Sequence, residues 1–137
     1  MKKVLVLCTG NSCRSQIAEG YLKAFLNGEA EVHSAGVENH VINENAIKIM
    51  KRDGIDISKN TSNHVSEYEH INFDFIITVC DHAHERCPNF FSNRAVRIHK
   101  NFFDPSKIED EEKLIFGFEK CRNEIKKFCQ EFCATYF

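Results

Sequence analysis

Short apolar runs and helically spaced apolar positions alternate along this chain. Val4-Leu5-Val6-Leu7 is a continuous apolar run, half of it β-branched, and predicts a buried strand over residues 3–7. Ile17, Ala18, Tyr21, Leu22, Phe25 and Leu26 then recur at helical spacing, which predicts a helix from about residue 13 to residue 26, stopped by Asn27-Gly28. A short strand is expected over residues 31–34. Asn43 is suited to cap a helix whose inner face is Ala46, Ile47 and Met50, with Gly54 at its C-terminal left-handed position. Residues 56–69 are polar and read as irregular chain with one short helix, capped by Ser62 or Ser66. Residues 73–79 (FDFIITV) are the strongest strand signal, and residues 95–98 a fourth, leading into a loop over residues 99–106. From about residue 109, Leu114, Phe118, Cys121, Ile125, Phe128 and Phe132 are spaced alternately by four and three, which predicts one long amphipathic helix.

Strands alternating with helices imply right-handed crossovers and a parallel sheet covered on both faces, so the fold class is α/β. Neither repeat nor linker divides the 137 residues, and residues 1–137 read as a single domain. Ligands of such sheets bind beyond the carboxyl ends of the strands, where the strand order switches. The first strand delivers Cys8 to that edge, the third delivers Cys80, and the loop after the fourth delivers Asp104.

The sharpest chemical signal is the turn from the first strand into the first helix, Cys8-Thr9-Gly10-Asn11-Ser12-Cys13-Arg14-Ser15. A tight loop entering a helix presents backbone N–H groups and the positive helix end toward one point, which suits a tetrahedral oxyanion. Cys8 stands at the floor of this cradle, Arg14 supplies a planar fork for oxyanions, and Ser15 supplies a hydroxyl. Such surroundings favour thiolate and bring catalytic cysteines from about 8.5 down to roughly 4–7. No Gly-Lys-Ser/Thr follows, so the loop is not a nucleotide-binding P-loop.

The net charge of −2 gives no general affinity for nucleic acid. No apolar run approaches the ~20 residues of a membrane span, and no signal-peptide pattern opens the chain, so a cytosolic protein is expected. Seven cysteines are many for that compartment and, being odd in number, do not make a complete disulfide framework. Redox chemistry or metal binding explains them better, although Cys121, Cys129 and Cys133 lie on or beside the apolar stripe of the last helix and read as core. In Cys80-Asp81-His82-Ala83-His84-Glu85-Arg86-Cys87-Pro88, three readings stand: an incidental turn, a zinc site of Cys80, His82, His84 and Cys87, or a thiol relay. The ligand spacing does not match a common structural zinc site.

The Cys8–Gln16 loop resembles the active-site loop of the low-molecular-weight protein tyrosine phosphatase superfamily, most closely that of its thioredoxin-coupled arsenate reductases. Ser34-Ala35-Gly36, Asp56-Ile57-Ser58 with Thr61-Ser62, Cys80 with Cys87, and Asp104-Pro105 extend the likeness over most of the chain. The resemblance implies a three-layer domain with a four-stranded parallel sheet in the order 2-1-3-4. It implies Cys8 as nucleophile, with Thr9, Gly10, Asn11, Ser12, Cys13, Arg14 and Ser15 as oxyanion-binding loop. Within that loop Asn11 would fix the backbone, Ser15 would donate to the Cys8 thiolate, and Cys13 is structural. Asp104 would be the general acid.

Arsenate would be the substrate, with phosphate and sulfate as mimics. Cys8, Cys80 and Cys87 would carry the electrons through successive disulfides to thioredoxin. The resemblance also points to a potassium ion at Asn11, Glu19, Ser34, Thr61 and Asn63, but Asn63 stands where an Asp would add charge, leaving Glu19 as the only anionic ligand. Ser106 replaces an aromatic residue that lines the substrate entrance of many tyrosine phosphatases. A phosphotyrosine or aryl phosphatase working through a Cys8 phosphoenzyme is the alternative, with weak phosphatase activity expected even of a reductase. A nonenzymatic redox or metal-binding module is a third class. Nothing in the sequence demands more than a monomer.

Overall fold

The computed structural model describes residues 1–38, 40–88, 91 and 94–137. Four strands, β1 (Lys2–Cys8), β2 (Ala30–Gly36), β3 (Phe75–Thr78) and β4 (Val96–His99), form one parallel sheet in the order β2-β1-β3-β4. The helices are α1 (Arg14–Leu26), α2 (Glu44–Arg52), α3 (Asp81–Glu85) and α4 (Glu111–Tyr136). Helices α1, α2 and α4 pack on one another, while the short α3 lies against β1 and β3. This is the α/β architecture and strand order expected.

The central strand is buried throughout Val4–Leu7, because β1 has neighbours on both edges and helices over its faces. On α4 Phe118, Cys121, Ile125 and Phe132 of the expected stripe are buried, while Leu114 and Phe128 are only partly buried and Cys129 takes the inner position beside Phe128. Burial pushes the Cys121 thiol up to about 12 and raises those of Cys129 and Cys133, so these three are core thiols.

Local details differ from expectation in two further places. The inner face of α2 is completed by Ile49, with Ile47 only partly buried. The short 3-10 helix Val65–Tyr68 is capped by His64 rather than by Ser62 or Ser66: the His64 ring accepts from Ser66 N–H, and Glu67 returns a bond to the His64 amide. Imidazole can stand in for a hydroxyl here because its Nδ1 reaches the same N–H. As anticipated, Asn43 Oδ1 caps α2 by accepting from Asn45 and Ala46, and Gly54 takes φ +80° just beyond that helix.

Candidate active site

The strand order reverses between β1 and β3, and Cys8 ends β1 there. The loop that follows is held from outside. Its carbonyls at Cys8, Thr9, Gly10 and Ser12 accept from the amides of Val37, Glu38, His40 and Asn43 (2.8–3.3 Å), and that of Asn11 accepts from the Gln16 side chain (3.1 Å). In a planar trans peptide the C=O and the next N–H point opposite ways, so outward carbonyls turn the N–H groups inward. Gly36 permits this packing: a Cβ there would collide with the Glu38 carbonyl and stand 2.8 Å from Asn11 N and Thr9 O.

Asn11 occupies the left-handed region (φ 51°). Its Oδ1 accepts from Ser15 Oγ (2.8 Å) and Gln16 Nε2 (3.1 Å), while its Nδ2 donates to the carbonyls of Ser34 (3.4 Å) and Asn63 (3.5 Å). These bonds stabilise a conformation that costs most side chains about 1–3 kcal/mol. The expected bond from the Ser15 hydroxyl to Cys8 is not formed, since that hydroxyl is committed to Asn11. The Ser15 backbone N–H reaches Cys8 instead.

The cavity over Cys8 is about 220 Å³ and is lined by Thr9, Gly10, Ser12, Cys13, Arg14, His40, Asp104 and Ser106. Arg14 is 9% exposed; its Nη1 donates to the Phe102 carbonyl (2.9 Å), its Nη2 lies 3.7 Å from Asp104 Oδ2, and its Nε has no partner among the described residues. Burial alone would favour a neutral guanidine, but the acidic groups around it, Cys8, Cys80 and Asp104, hold it protonated. A buried cation with an idle donor facing a ring of amides is a receptor for an anion. Asp104 Oδ1 is taken by the amide and hydroxyl of Ser106 (3.0 and 2.7 Å), which leaves Oδ2 turned toward Arg14.

Cys80 stands at the N-cap of α3 and meets Cys8. Its sulfur accepts from Ala83 N–H (3.4 Å) and lies 3.2 Å from Thr9 Oγ1. The bond from Cys8, reinforced by these donors, lowers Cys80 to about 5, whereas the same bond together with burial raises Cys8. The sequence expectation put the thiolate on Cys8; with Cys80 beside it, the interaction between the two favours charge on Cys80 and opposes it on Cys8. Burial also pushes the thiol of Cys13 upward, in keeping with a structural role.

Cys87 is not at this point. Cys80 caps the start of α3, whereas Cys87 lies beyond its end with its sulfur against Arg97. The four residues of the zinc reading diverge. Cys80 faces Thr9, His82 faces Glu38, His84 stacks on His99, and Cys87 contacts Arg97. Among the described residues no group of three or more His, Cys, Asp or Glu could hold a metal ion.

The residues compared with a potassium site are adjacent but engaged. Glu19 Oε1 accepts from Ser34 Oγ (2.8 Å), and Oε2 accepts from Asn60 Nδ2 (2.9 Å) and Lys23 Nζ (3.4 Å). The Thr61 carbonyl accepts from Gln16, and Asn63 Oδ1 from the Thr61 hydroxyl. Donors rather than a cation satisfy these oxygens, so the set does not fit potassium. Sequence reasoning missed Asn60, His40 and the Phe102 carbonyl, and a backbone acceptor leaves no trace in residue identity.

Residues 3–136 match the low molecular weight phosphotyrosine protein phosphatase family. Over 136 residues the chain is 46% identical to an arsenate reductase of Halalkalibacterium halodurans and 43% identical to one of Bacillus subtilis, each alignment covering 98% of this chain and 96% of the relative. A solved arsenate reductase in its phosphate-binding state superposes with a TM-score of 0.80 at 30% identity, covering all of both chains. Sequence match, sheet order and oxyanion cradle agree, and the chain belongs to the low molecular weight phosphotyrosine protein phosphatase family, alongside arsenate reductases.

Proposed function

We propose that this enzyme reduces arsenate to arsenite, with Cys8 and Cys80 as the electron source, Cys87 as the thiol that resets them, and thioredoxin as the reductant. The observation that carries this reading is that a second thiol, Cys80, comes up to the Cys8 loop, its sulfur 3.2 Å from Thr9 Oγ1, with Thr9 and Arg14 lining the cavities of both cysteines. Hydrolysis of a phosphate ester moves no electrons and has no use for a second thiol. The relatives named arsenate reductase support the same choice.

Arsenate sits with its oxygens on the loop amides from Thr9 to Ser15 and on Arg14. The Cys8 proton passes along its hydrogen bond to Cys80, and the Cys8 sulfur attacks arsenic. An arsenic–oxygen bond breaks, with Asp104 supplying a proton to the departing oxygen. Cys80 then attacks the Cys8 sulfur, giving up its proton to an oxygen of the departing arsenite; the sulfur–arsenic bond breaks with its electron pair going to arsenic, and arsenite leaves. In sum, arsenate and two thiols give arsenite, one disulfide and water.

This step also loosens α3. The Cys80 sulfur is the N-cap of the helix, and a sulfur bonded to Cys8 has lost the charge that held Ala83 N–H. A helix of five residues has no stability of its own, so losing its cap favours unwinding. Cys87 then attacks Cys80, frees Cys8 and leaves a Cys80–Cys87 disulfide for thioredoxin to reduce.

Amide, hydroxyl and ammonium donors satisfy Glu19, Thr61 and Asn63, and the proposed steps use no potassium ion. Among the described residues no helix is long and apolar enough to cross a membrane, and a thioredoxin-coupled cycle suits a cytoplasmic monomer working as one domain. The cradle binds oxyanions by charge and shape, so slow hydrolysis of aryl phosphates accompanies the main activity.

The test is arsenate-dependent NADPH oxidation with thioredoxin and its reductase, run beside aryl phosphate hydrolysis, for wild type and Cys87→Ser. Arsenate-dependent oxidation that stops after one turnover in the variant, with ester hydrolysis preserved, supports the relay. Ester hydrolysis without arsenate-dependent oxidation in either protein identifies a phosphatase.

A further inference from the structure

Side chains two apart on a strand share a face, so Arg97 and His99 of β4 point the same way, beside Ile76 and Thr78 of β3. With His84 and Cys87 they line a cavity of about 100 Å³. β4 is the edge strand, where Arg97 is exposed and His99 half-buried, and both side chains are nonetheless held by specific partners. His99 Nε2 meets Asp81 Oδ1 (2.7 Å), its Nδ1 meets Thr78 Oγ1 (2.7 Å), and its ring stacks on His84 with centroids 4.2 Å apart. It fastens the start of α3 to the sheet.

Arg97 addresses the other end. Its Nη1 donates to Cys87 Sγ at 3.1 Å, and the same sulfur lies 4.0 Å from the Pro88 carbonyl. We propose that Arg97 is the positioning residue for Cys87: in the reduced enzyme it holds the sulfur and favours its anionic form, with which Cys87 attacks Cys80 once α3 unwinds. This rests on the three-cysteine reading above.

In the step concerned, the proton of Cys87 goes to solvent and its sulfur bonds to the Cys80 sulfur. The Cys8–Cys80 bond breaks, and Cys8 leaves as thiolate. One disulfide replaces another, so no outside oxidant is needed. Arg97 takes no part in the earlier chemistry at arsenic, which separates its effect from that of Arg14.

The test compares wild type, Arg97→Gln, Arg97→Lys and Cys87→Ser in three assays: arsenite released in a single turnover without reductant, steady-state turnover with thioredoxin, and iodoacetamide labelling of Cys87 across pH by peptide mass spectrometry. A charged hydrogen bond to the nucleophile predicts that Arg97→Gln slows both Cys87 labelling at neutral pH and steady-state turnover by about tenfold, leaves single-turnover release unchanged, and is largely rescued by Arg97→Lys. Turnover and labelling within about twofold of wild type in Arg97→Gln, with Cys87→Ser stopping after one turnover, would overturn the role of Arg97 and leave the relay standing. Sustained turnover by Cys87→Ser would overturn the relay and the proposal together.

Discussion

Cys8 and Cys80 act on one another in opposite directions, their interaction lowering Cys80 and raising Cys8. The Cys80 sulfur is also supported by Thr9 and by the first turn of α3. Cys80, lowered to about 5, is thiolate above that pH and thiol below it. Ultraviolet thiolate absorbance of the reduced protein is expected to show a step near pH 5 that moves to higher pH in Cys8→Ala. A step unmoved in Cys8→Ala would show that Cys8 does not support the Cys80 thiolate.

Arg14 offers a fork of donors fixed by the Phe102 carbonyl, with Nε idle. Lysine keeps the charge but loses both the fork and the fixed orientation. Arg14→Lys is expected to lower kcat/KM for arsenate by about a hundredfold, in the range for removing a preorganised donor to a developing charge, while thermal stability changes little. Steady-state kinetics beside a melting curve checks both halves.

Asn11 stabilises the loop through four side-chain hydrogen bonds in a backbone conformation that alanine tolerates poorly. Asn11→Ala is expected to cost about 2–4 kcal/mol in denaturant unfolding, combining backbone strain with buried partners left unsatisfied. It also frees the Ser15 hydroxyl. A loss under about 0.5 kcal/mol would show that the loop is held by its flanks alone.

Asn60 and Lys23 occupy Glu19 Oε2, so exchanging sodium for potassium chloride at constant ionic strength is expected to leave turnover and melting temperature unchanged. Asn60→Ala strips one of these donors. If that variant gains a selective response to potassium, the amide is what keeps the cation out. If wild type itself responds to potassium, the reading of the site is wrong.

Asp53 accepts from Tyr21 Oη (2.7 Å) and Lys126 Nζ (2.9 Å), tying the end of α2 to α1 and α4. The bonds from Tyr21 and Lys126 hold its carboxyl below the ordinary range, so its stabilising contribution is complete above the unfolded value of about 3.9 and is lost as pH falls through the folded value. Asp53→Asn is expected to cost about 1 kcal/mol near neutral pH, a gap that narrows below pH 4 as the wild-type carboxyl protonates. Urea unfolding at several pH values measures it, and a pH-independent gap would point to packing instead.

Much of this protein was decided locally. The run from Val4 to Leu7, the spacing on α1 and α4, and the Asn43 cap fix elements through neighbours a few residues away, and each formed where its pattern placed it. Cys8, Arg14 and the loop between them were legible for the same reason: strand, turn and helix start are contiguous in sequence. The tertiary structure decided what depends on distant partners. It set Ser15 on Asn11, filled the oxygens around Glu19 with Asn60 and Lys23, brought Cys80 up to the Cys8 loop, and set Cys87 against Arg97. Proton position and hydrogen-bond choice turn on burial and on which donor comes within about 3 Å, and only the folded chain sets those distances.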